Sequence, residues 1–252
     1  MLHECLVSLP EEDYLYLGDS ARFPYGDKSR DELRELVGRN TRFLLERGAK
    51  LIIVACNSAT SAGMDVAAEV AAESGVEALG VIDPAAEIAA AISDSGRVGV
   101  LATPTTVASG SYREALERQG RPLNVTEVAA PDLARIIQDG FPFDEGVVET
   151  VRGYTAPLRE ADVDTVILGC THYPLVAPML QRMLGRDVRL VTDGHAVAAA
   201  AQRVLEHQGV ASTNHGEGKY RFLCTGDVES FLELGTRFLQ MPLGEVEHVD
   251  VA

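Results

Sequence analysis

The sequence predicts an α/β protein of two pseudo-symmetric lobes, each a mostly parallel sheet flanked by helices, with an active site in the cleft between them. Three observations carry this reading. Short β-rich runs alternate with amphipathic stretches along almost the whole chain. The runs at 51–55 and 165–169 are continuously apolar, as in parallel strands covered on both faces. One device also occurs twice, once in each half: a strand, a cysteine, a polar residue and then a helix. A chain of 252 residues with 46% hydrophobic composition is long enough to bury a substantial core.

The elements follow in order. "DYLYLG" (13–18) predicts the first strand. Ser29 and Glu32 form a capping-box pattern before Leu33, Leu36, Val37 and Leu44, which are spaced for one helix face. "AKLIIVAC" (49–56) predicts a strand running into Cys56, and the residues from Asn57 onward, "NSATSAGMDVAAEVAAE", make a good helix. "VEALGVI", "RVGVLAT" and "LNVTEVA" predict three further strands. Val147, Val151, Tyr154 and Leu158 have helical spacing ahead of the strand "DTVILGC". Pro174 suits the first turn of the helix after Cys170, and "VRLVTD" and "YRFLCT" complete the strands. No linker, short-period repeat or low-complexity segment interrupts this order.

Twenty-two basic residues against thirty-eight acidic ones leave a formal charge of −16. Such a surface repels nucleic acid and anionic membranes at long range, so neither is an expected partner. No apolar run approaches the roughly 20 residues of a membrane span. The opening "MLHECLVSLPEEDY" lacks the basic region and cleavage site of a secretory signal. Four scattered cysteines without a CxxC pair argue against a disulfide framework or a structural zinc site. The expected setting is a reducing cytoplasm, with free thiols and no bound metal. Cys5 and Cys224 read as small buried hydrophobes.

Cys56 and Cys170 both sit where a strand ends and a helix begins, the place where functional groups gather in open α/β sheets. The positive end of a helix dipole and its unpaired N–H groups favour a thiolate. Lowering a thiol pKa by one unit takes only about 1.4 kcal/mol, which is within reach of these local effects. Three chemistries fit. Cys170 could attack a carbonyl with His172 as its base, which leaves the second cysteine idle. Cys170 and His172 could bind a metal, perhaps with Cys56, although the spacing matches no common zinc pattern. Two thiols on opposite faces of a carbon could move a proton from one side to the other, which uses both cysteines. Purely structural cysteines are the chief rival. Racemisation through pyridoxal phosphate needs a Schiff-base lysine; of the three lysines, Lys28 and Lys50 lie in polar, solvated contexts and Lys219 follows the loop "TNHGEG". A cofactor-independent route is the better fit.

The stretches "YLGDSARFPYGDKS", "LIIVACNSATS", "GVIDPAAEIA", "GVLATPTTVASGSY", "VILGCTHYPL" and "YRFLCTGDVESFLELGTRFL" span nearly the whole chain. Together they resemble the glutamate racemases, cofactor-independent enzymes of the aspartate/glutamate racemase superfamily. The resemblance implies interconversion of L- and D-glutamate, with D-glutamate supplied to bacterial peptidoglycan synthesis in the cytoplasm. It implies one lobe from residues 1–80 with 192–252 and a second from 81–191, and it allows a homodimer. It makes Cys56 the base for D-glutamate, Cys170 the base for L-glutamate and His172 the helper of Cys170. It places Tyr25, Gly26, Asn57, Ser58, Thr106 and Thr171 around the substrate. Taken alone, Tyr25 and Gly26 read as a loop turn, Asn57 and Ser58 as helix caps, Thr106 as a capping hydroxyl and His172 as a structural histidine.

The chain also departs from the resemblance. Relatives carry a strand ending in Asp-Ser-Gly ahead of the first helix, and here "HECLVSLPEEDYLYLGD" aligns with the later turns of that helix. The expectation is an incomplete version of a normal racemase, with a catalytically silent short form or an aspartate racemase as alternatives. Gly194 stands where relatives usually have Ser. The acidic residue that supports the second half of the reaction is either Asp139 or missing.

Overall fold

A computed structural model of the chain describes residues 1–142 and 144–251. It opens with helix α1 (Leu2–Ser8), strand β1 (Tyr14–Gly18), helix α2 (Arg30–Leu45), strand β2 (Leu51–Val54) and helix α3 (Asn57–Ala72). Then come β3 (Glu77–Gly80), α4 (Ile82–Ile92), β4 (Arg97–Ala102), α5 (Pro104–Ser109), α6 (Ser111–Glu117), β5 (Asn124–Ala129) and α7 (Leu133–Gln138). The chain continues through α8 (Glu145–Glu160), β6 (Thr165–Gly169), α9 (Ala177–Leu184), β7 (Arg189–Val191) and α10 (Asp193–Gln208). It closes with β8 (Tyr220–Cys224), α11 (Val228–Leu239) and β9 (Val246–His248). Every strand predicted from the sequence forms. The short polar strand β9 was not predicted, because "VEH" carries neither an apolar run nor an alternating face.

Residues 97–191 build a four-stranded sheet in the order β5-β4-β6-β7, with every pairing parallel. All five residues of β6 are buried. Val166 and Leu168 join one core cluster with Leu133, Val151, Tyr173 and Leu180. Ile167 joins another with Val81, Ala85, Val100, Tyr112 and Val197. Alternate side chains of one strand therefore enter two different cores, which is why its sequence is apolar without a break. Each such side chain contributes about 1.5–3 kcal/mol by burial.

The remaining strands form two separate parallel sheets, β1-β8-β9 and β2-β3. Helix α2 begins as its sequence indicates, with the Ser29 hydroxyl accepting from the Glu32 N–H at 3.3 Å. The Glu32 carboxylate turns instead to Lys28 Nζ at 2.6 Å. Helices α2 and α3 meet closely through two glycines. A Cβ on Gly63 would lie 3.1 Å from Val37 Cβ, and one on Gly38 would lie 3.1 Å from Val66 Cγ1. This packing fixes α3, and with it the cysteine that precedes its first residue.

Helix α1 packs on α10. A side chain at position 194 would collide with Glu4, since a Cβ there would sit 2.4 Å from Glu4 Cγ. The glycine is what lets these two helices approach. None of the helices is long and apolar enough to cross a membrane.

Candidate active site

The two cysteines occupy equivalent positions. Cys56 is the N-cap of α3 and follows the carboxyl end of β2. Cys170 follows the carboxyl end of β6 and precedes a 3-10 turn, Tyr173–Val176, which leads into α9. Each sulfur faces two backbone N–H groups at the start of its helical segment, those of Ser58 and Ala59 for Cys56 and those of His172 and Tyr173 for Cys170. The Ser58 hydroxyl adds a third donor to Cys56. These donors act as the sequence suggests and favour the thiolate.

Burial outweighs them. It pushes the Cys56 thiol up from its ordinary value despite the three donors. Cys170, 7% exposed, is pushed up to about 12, first by burial and then by the charges of Cys56 and Asp193, against the two N–H groups. The downward shift that the helix starts favour is therefore outweighed by burial in this structure. A sequence shows the helix start but not how deeply the sulfur lies. The effect of Cys56 on Cys170 also shows that the two sulfurs share one electrostatic neighbourhood.

Asn57, 1% exposed, is the first residue of α3. Its amide Nδ2 donates to Tyr112 Oη at 2.8 Å and to Asp193 Oδ2 at 2.9 Å. Burial raises Asp193 to about 7, even though the bonds from Asn57 and Tyr112 and the nearby terminal amine favour its charged form. Asn57 Oδ1 and Asp193 Oδ1 are both buried without a hydrogen-bond partner. Tyr112 reaches this network because residue 169 is glycine: a Cβ there would stand 2.9 Å from both Tyr112 Cε2 and Ala102 Cβ.

Three hydroxyls form a buried cluster. Ser58 Oγ lies 2.9 Å from Thr103 Oγ1, which lies 3.0 Å from Thr106 Oγ1. The capping hydroxyl of α5 is that of Thr103, which accepts from the Thr106 N–H at 3.4 Å. The capping role considered for Thr106 thus belongs to its neighbour three residues earlier, and Thr106 is fully buried beneath it. Gly26 abuts the same turn. A Cβ on Gly26 would sit 3.0 Å from Thr103 Cβ, and the Gly26 carbonyl accepts from Thr105 Oγ1 at 2.7 Å.

Tyr25 Oη donates to Asp19 Oδ2 at 2.5 Å and accepts from Asn40 Nδ2 at 3.2 Å. Asp19 also receives Thr225 Oγ1 at 2.6 Å and Arg22 Nη1 at 2.8 Å. Burial alone would raise Asp19, but these donors hold its carboxyl below the ordinary value. The Tyr25 phenol feels the charge of Cys56, so this loop borders the first sulfur.

Thr171 is exposed, between Cys170 and His172. His172 Nδ1 lies 3.9 Å from Cys170 Sγ, and its Nε2 lies 2.9 Å from Gln138 Oε1. The neutral amide of Gln138, one position before Asp139, is the partner of His172. Burial lowers His172 to about 4, so its imidazole is neutral at ordinary pH. Sequence reasoning missed Thr103, Tyr112, Gln138, Asp193 and Asp19. Each is an unremarkable residue type at a helix or strand end, and its partners are supplied by folding.

Cys56, Asn57, Ser58, Thr103, Thr106, Tyr112, Cys170, His172 and Asp193 are thus joined by hydrogen bonds or electrostatic contact. Among the described residues, no group of three or more His, Cys, Asp and Glu side chains could hold a metal ion. An open surface cavity of about 500 Å³ lies elsewhere, between α1, the 215–217 loop and the end of α11.

Comparison with known proteins bears on this arrangement. Residues 8–202 match the family described as Asp/Glu/Hydantoin racemase. The chain belongs to that family. Among members of the Asp/Glu/Hydantoin racemase family, a glutamate racemase of Bacillus cereus is 33% identical over 246 residues, covering 98% of this chain and 90% of the relative. One from Lactobacillus helveticus is 37% identical and covers 95% and 88%. In structure, a glutamate racemase of Bacillus anthracis superposes with a TM-score of 0.93 at 33% identity, covering 99% of this chain and 92% of the other. The glutamate racemase of Francisella tularensis, solved with D-glutamate, gives 0.91 at 27% identity with the same coverage.

Proposed function

We propose that this isomerase interconverts L- and D-glutamate by passing a proton between two thiols, without a cofactor. The observation that carries this reading is the duplicated cysteine site. Cys56 and Cys170 each face paired backbone N–H groups at a helix start, and Cys56 lies close enough for its charge to raise the Cys170 thiol.

The steps balance simply. A thiolate on one face takes the α-hydrogen, and the C–H electron pair passes into the α-carbon and its carboxylate. The thiol on the other face donates its proton to that carbon and becomes the thiolate. Cys56 takes the proton of D-glutamate and Cys170 that of L-glutamate. Burial makes each thiolate a stronger base than it would be in water, while the cationic ammonium of the substrate offsets part of the cost of the charge. Tyr25, Gly26, Asn57, Ser58, Thr106 and Thr171 hold the substrate through N–H groups, hydroxyls and an amide. Such groups bind carboxylates without a full cationic clamp.

The D-glutamate product suits peptidoglycan synthesis in the cytoplasm, and a homodimer is the assembly the resemblance allows. A silent binding protein is the second reading. It is favoured by one observation: β1 and β2 lie in separate sheets, so the strand that leads to Cys56 is paired on one edge only. Incubation with L-glutamate in deuterated water separates the two. The racemase reading predicts deuterium at the α-carbon and decay of optical activity to zero. Unchanged glutamate at both readouts supports the silent form, and running L-aspartate in parallel reports the substrate preference.

A further inference from the structure

The ring of His172 is held on several sides by residues far apart in the chain. Gln138 Oε1 meets its Nε2 at 2.9 Å, and Cys170 Sγ faces its Nδ1 at 3.9 Å. The rings of Phe23 and Phe238 stand 5.6 Å and 5.8 Å from it. Gln138 is the last residue of α7. Arg237 donates to the carbonyls of Ile137 and Gln138 at 3.4 Å and 3.1 Å, with its guanidinium 4.8 Å from the Phe238 ring centre. One turn of α11 therefore both closes the end of α7 and supplies a wall for the imidazole.

We propose that Gln138 is a positioning residue that holds His172 in the Nε2–H tautomer, leaving Nδ1 bare toward the Cys170 sulfur as the acceptor for that thiol's proton. This rests on the racemase reading above. A neutral imidazole carries one N–H, so the group on one nitrogen decides what the other can do. With Nε2–H donating to the amide oxygen, Nδ1 has a free lone pair. A buried Cys170 that keeps its proton at rest accepts from the His172 and Tyr173 N–H groups and has one S–H to place, for which the lone pair is the acceptor. Both bonds of the chain Sγ–H···Nδ1 and Nε2–H···Oε1 then run in one direction.

The step it serves also balances. When L-glutamate binds, the Sγ–H bond breaks, its electron pair stays on sulfur, and the proton forms an Nδ1–H bond. The thiolate then takes the α-hydrogen. After turnover Cys170 carries the substrate's proton, the imidazolium holds the former thiol proton and Cys56 is the thiolate. Once D-glutamate leaves, the imidazolium gives its proton to solvent and Cys56 takes one from solvent, which restores the resting state. A neutral amide orients the resulting imidazolium but stabilises its charge less than a carboxylate would. The proton therefore rests on sulfur, and a thiolate appears only on demand. Glutamate at position 138 would shift that balance toward the ion pair.

Nitrogen-15 spectra of the full chain labelled in histidine test this directly, since the two tautomers have different ring-nitrogen signatures. Wild type should show His172 protonated at Nε2 alone. Gln138→Leu should show a mixture of tautomers, with kcat for racemisation down about tenfold or more and KM nearly unchanged. Gln138→Glu keeps the acceptor and serves as the folded control. It should retain Nε2–H and raise the iodoacetamide alkylation rate of Cys170, located by peptide mass spectrometry, by about tenfold. A His172 protonated at Nδ1 in wild type, or an undisturbed Nε2–H tautomer in Gln138→Leu, would overturn the proposal. Neither readout needs turnover. A wild-type chain with the Nε2–H tautomer but no racemisation would support the placement of Gln138 and sink the racemase reading instead.

Discussion

Asn57 and Asp193, the opening residues of two helices 136 positions apart, are joined by a 2.9 Å hydrogen bond in a fully buried setting. One follows the first cysteine directly, and the other acts on the charge of the second. The bond ties the start of α3, where Cys56 sits, to the sheet that carries Cys170.

This pair predicts a pH-dependent stability. Asp193 is raised to about 7 in the folded chain from an ordinary 3.8. Between those values the folded state holds a proton that the unfolded state has lost. Its stabilising contribution is complete below the unfolded value and fades as pH rises through the folded one. The full difference is on the order of 4 kcal/mol, an upper bound. Wild type should therefore lose urea midpoint between about pH 4 and pH 7, and Asp193→Asn should lose much less. Equal slopes for the two proteins would refute the raised value.

Gly169→Ala should destabilise the protein by about 1–3 kcal/mol through overpacking. Its new methyl meets Ala102 Cβ and Tyr112 Cε2, both at 2.9 Å, and neither belongs to a flexible chain end. Racemase activity should fall with it, since Tyr112 is a partner of Asn57. Thermal unfolding and turnover check the two effects together. A variant as stable as wild type would mean the sheet can relax there.

Thr103→Val should cost about 0.5–2 kcal/mol for the lost cap of α5, and it should leave the Ser58 hydroxyl with Cys56 and Thr106 alone. If the hydroxyl cluster shapes the substrate site, KM rises more than kcat falls. Thr103→Ser keeps the hydroxyl and should restore most of both. Steady-state kinetics on the pair decides, and an unchanged KM in Thr103→Val would remove the cluster from the substrate site.

Tyr25→Phe removes the 2.5 Å bond to Asp19 but leaves Asp19 with Thr225 and Arg22. The stability cost should stay near 1 kcal/mol. The larger effect is expected on KM for glutamate, because the phenol borders Cys56. Chemical denaturation and kinetics separate the two.

The strands were legible because their apolar runs obey the period of the sheet. β6 is the clearest case, since Val166 and Ile167 enter different cores. Both cysteines were legible because a strand followed by a helix-forming segment leaves little choice of place. The sign of their ionisation was not, because burial of Cys170 comes from a core that it shares with Leu101 and Leu133, residues distant in the chain. Gln138 was passed over for a similar reason. The sequence offered Asp139 as an acid for the second half of the reaction, and the residue that folding delivers to His172 is an amide one position away. Asp193 lay inside a predicted strand end, with nothing in its neighbours to suggest that Asn57 would be its partner.

The central claim is that Cys56 and Cys170 work as one pair on opposite faces of a single carbon. Racemisation by Cys56→Ala and Cys170→Ala, each assayed from pure L- and pure D-glutamate with folding verified, tests it most directly. The account predicts that each single change lowers turnover by about 10²–10⁴ in both directions, the usual worth of a positioned acid or base. Near-wild-type racemisation by either variant would contradict it.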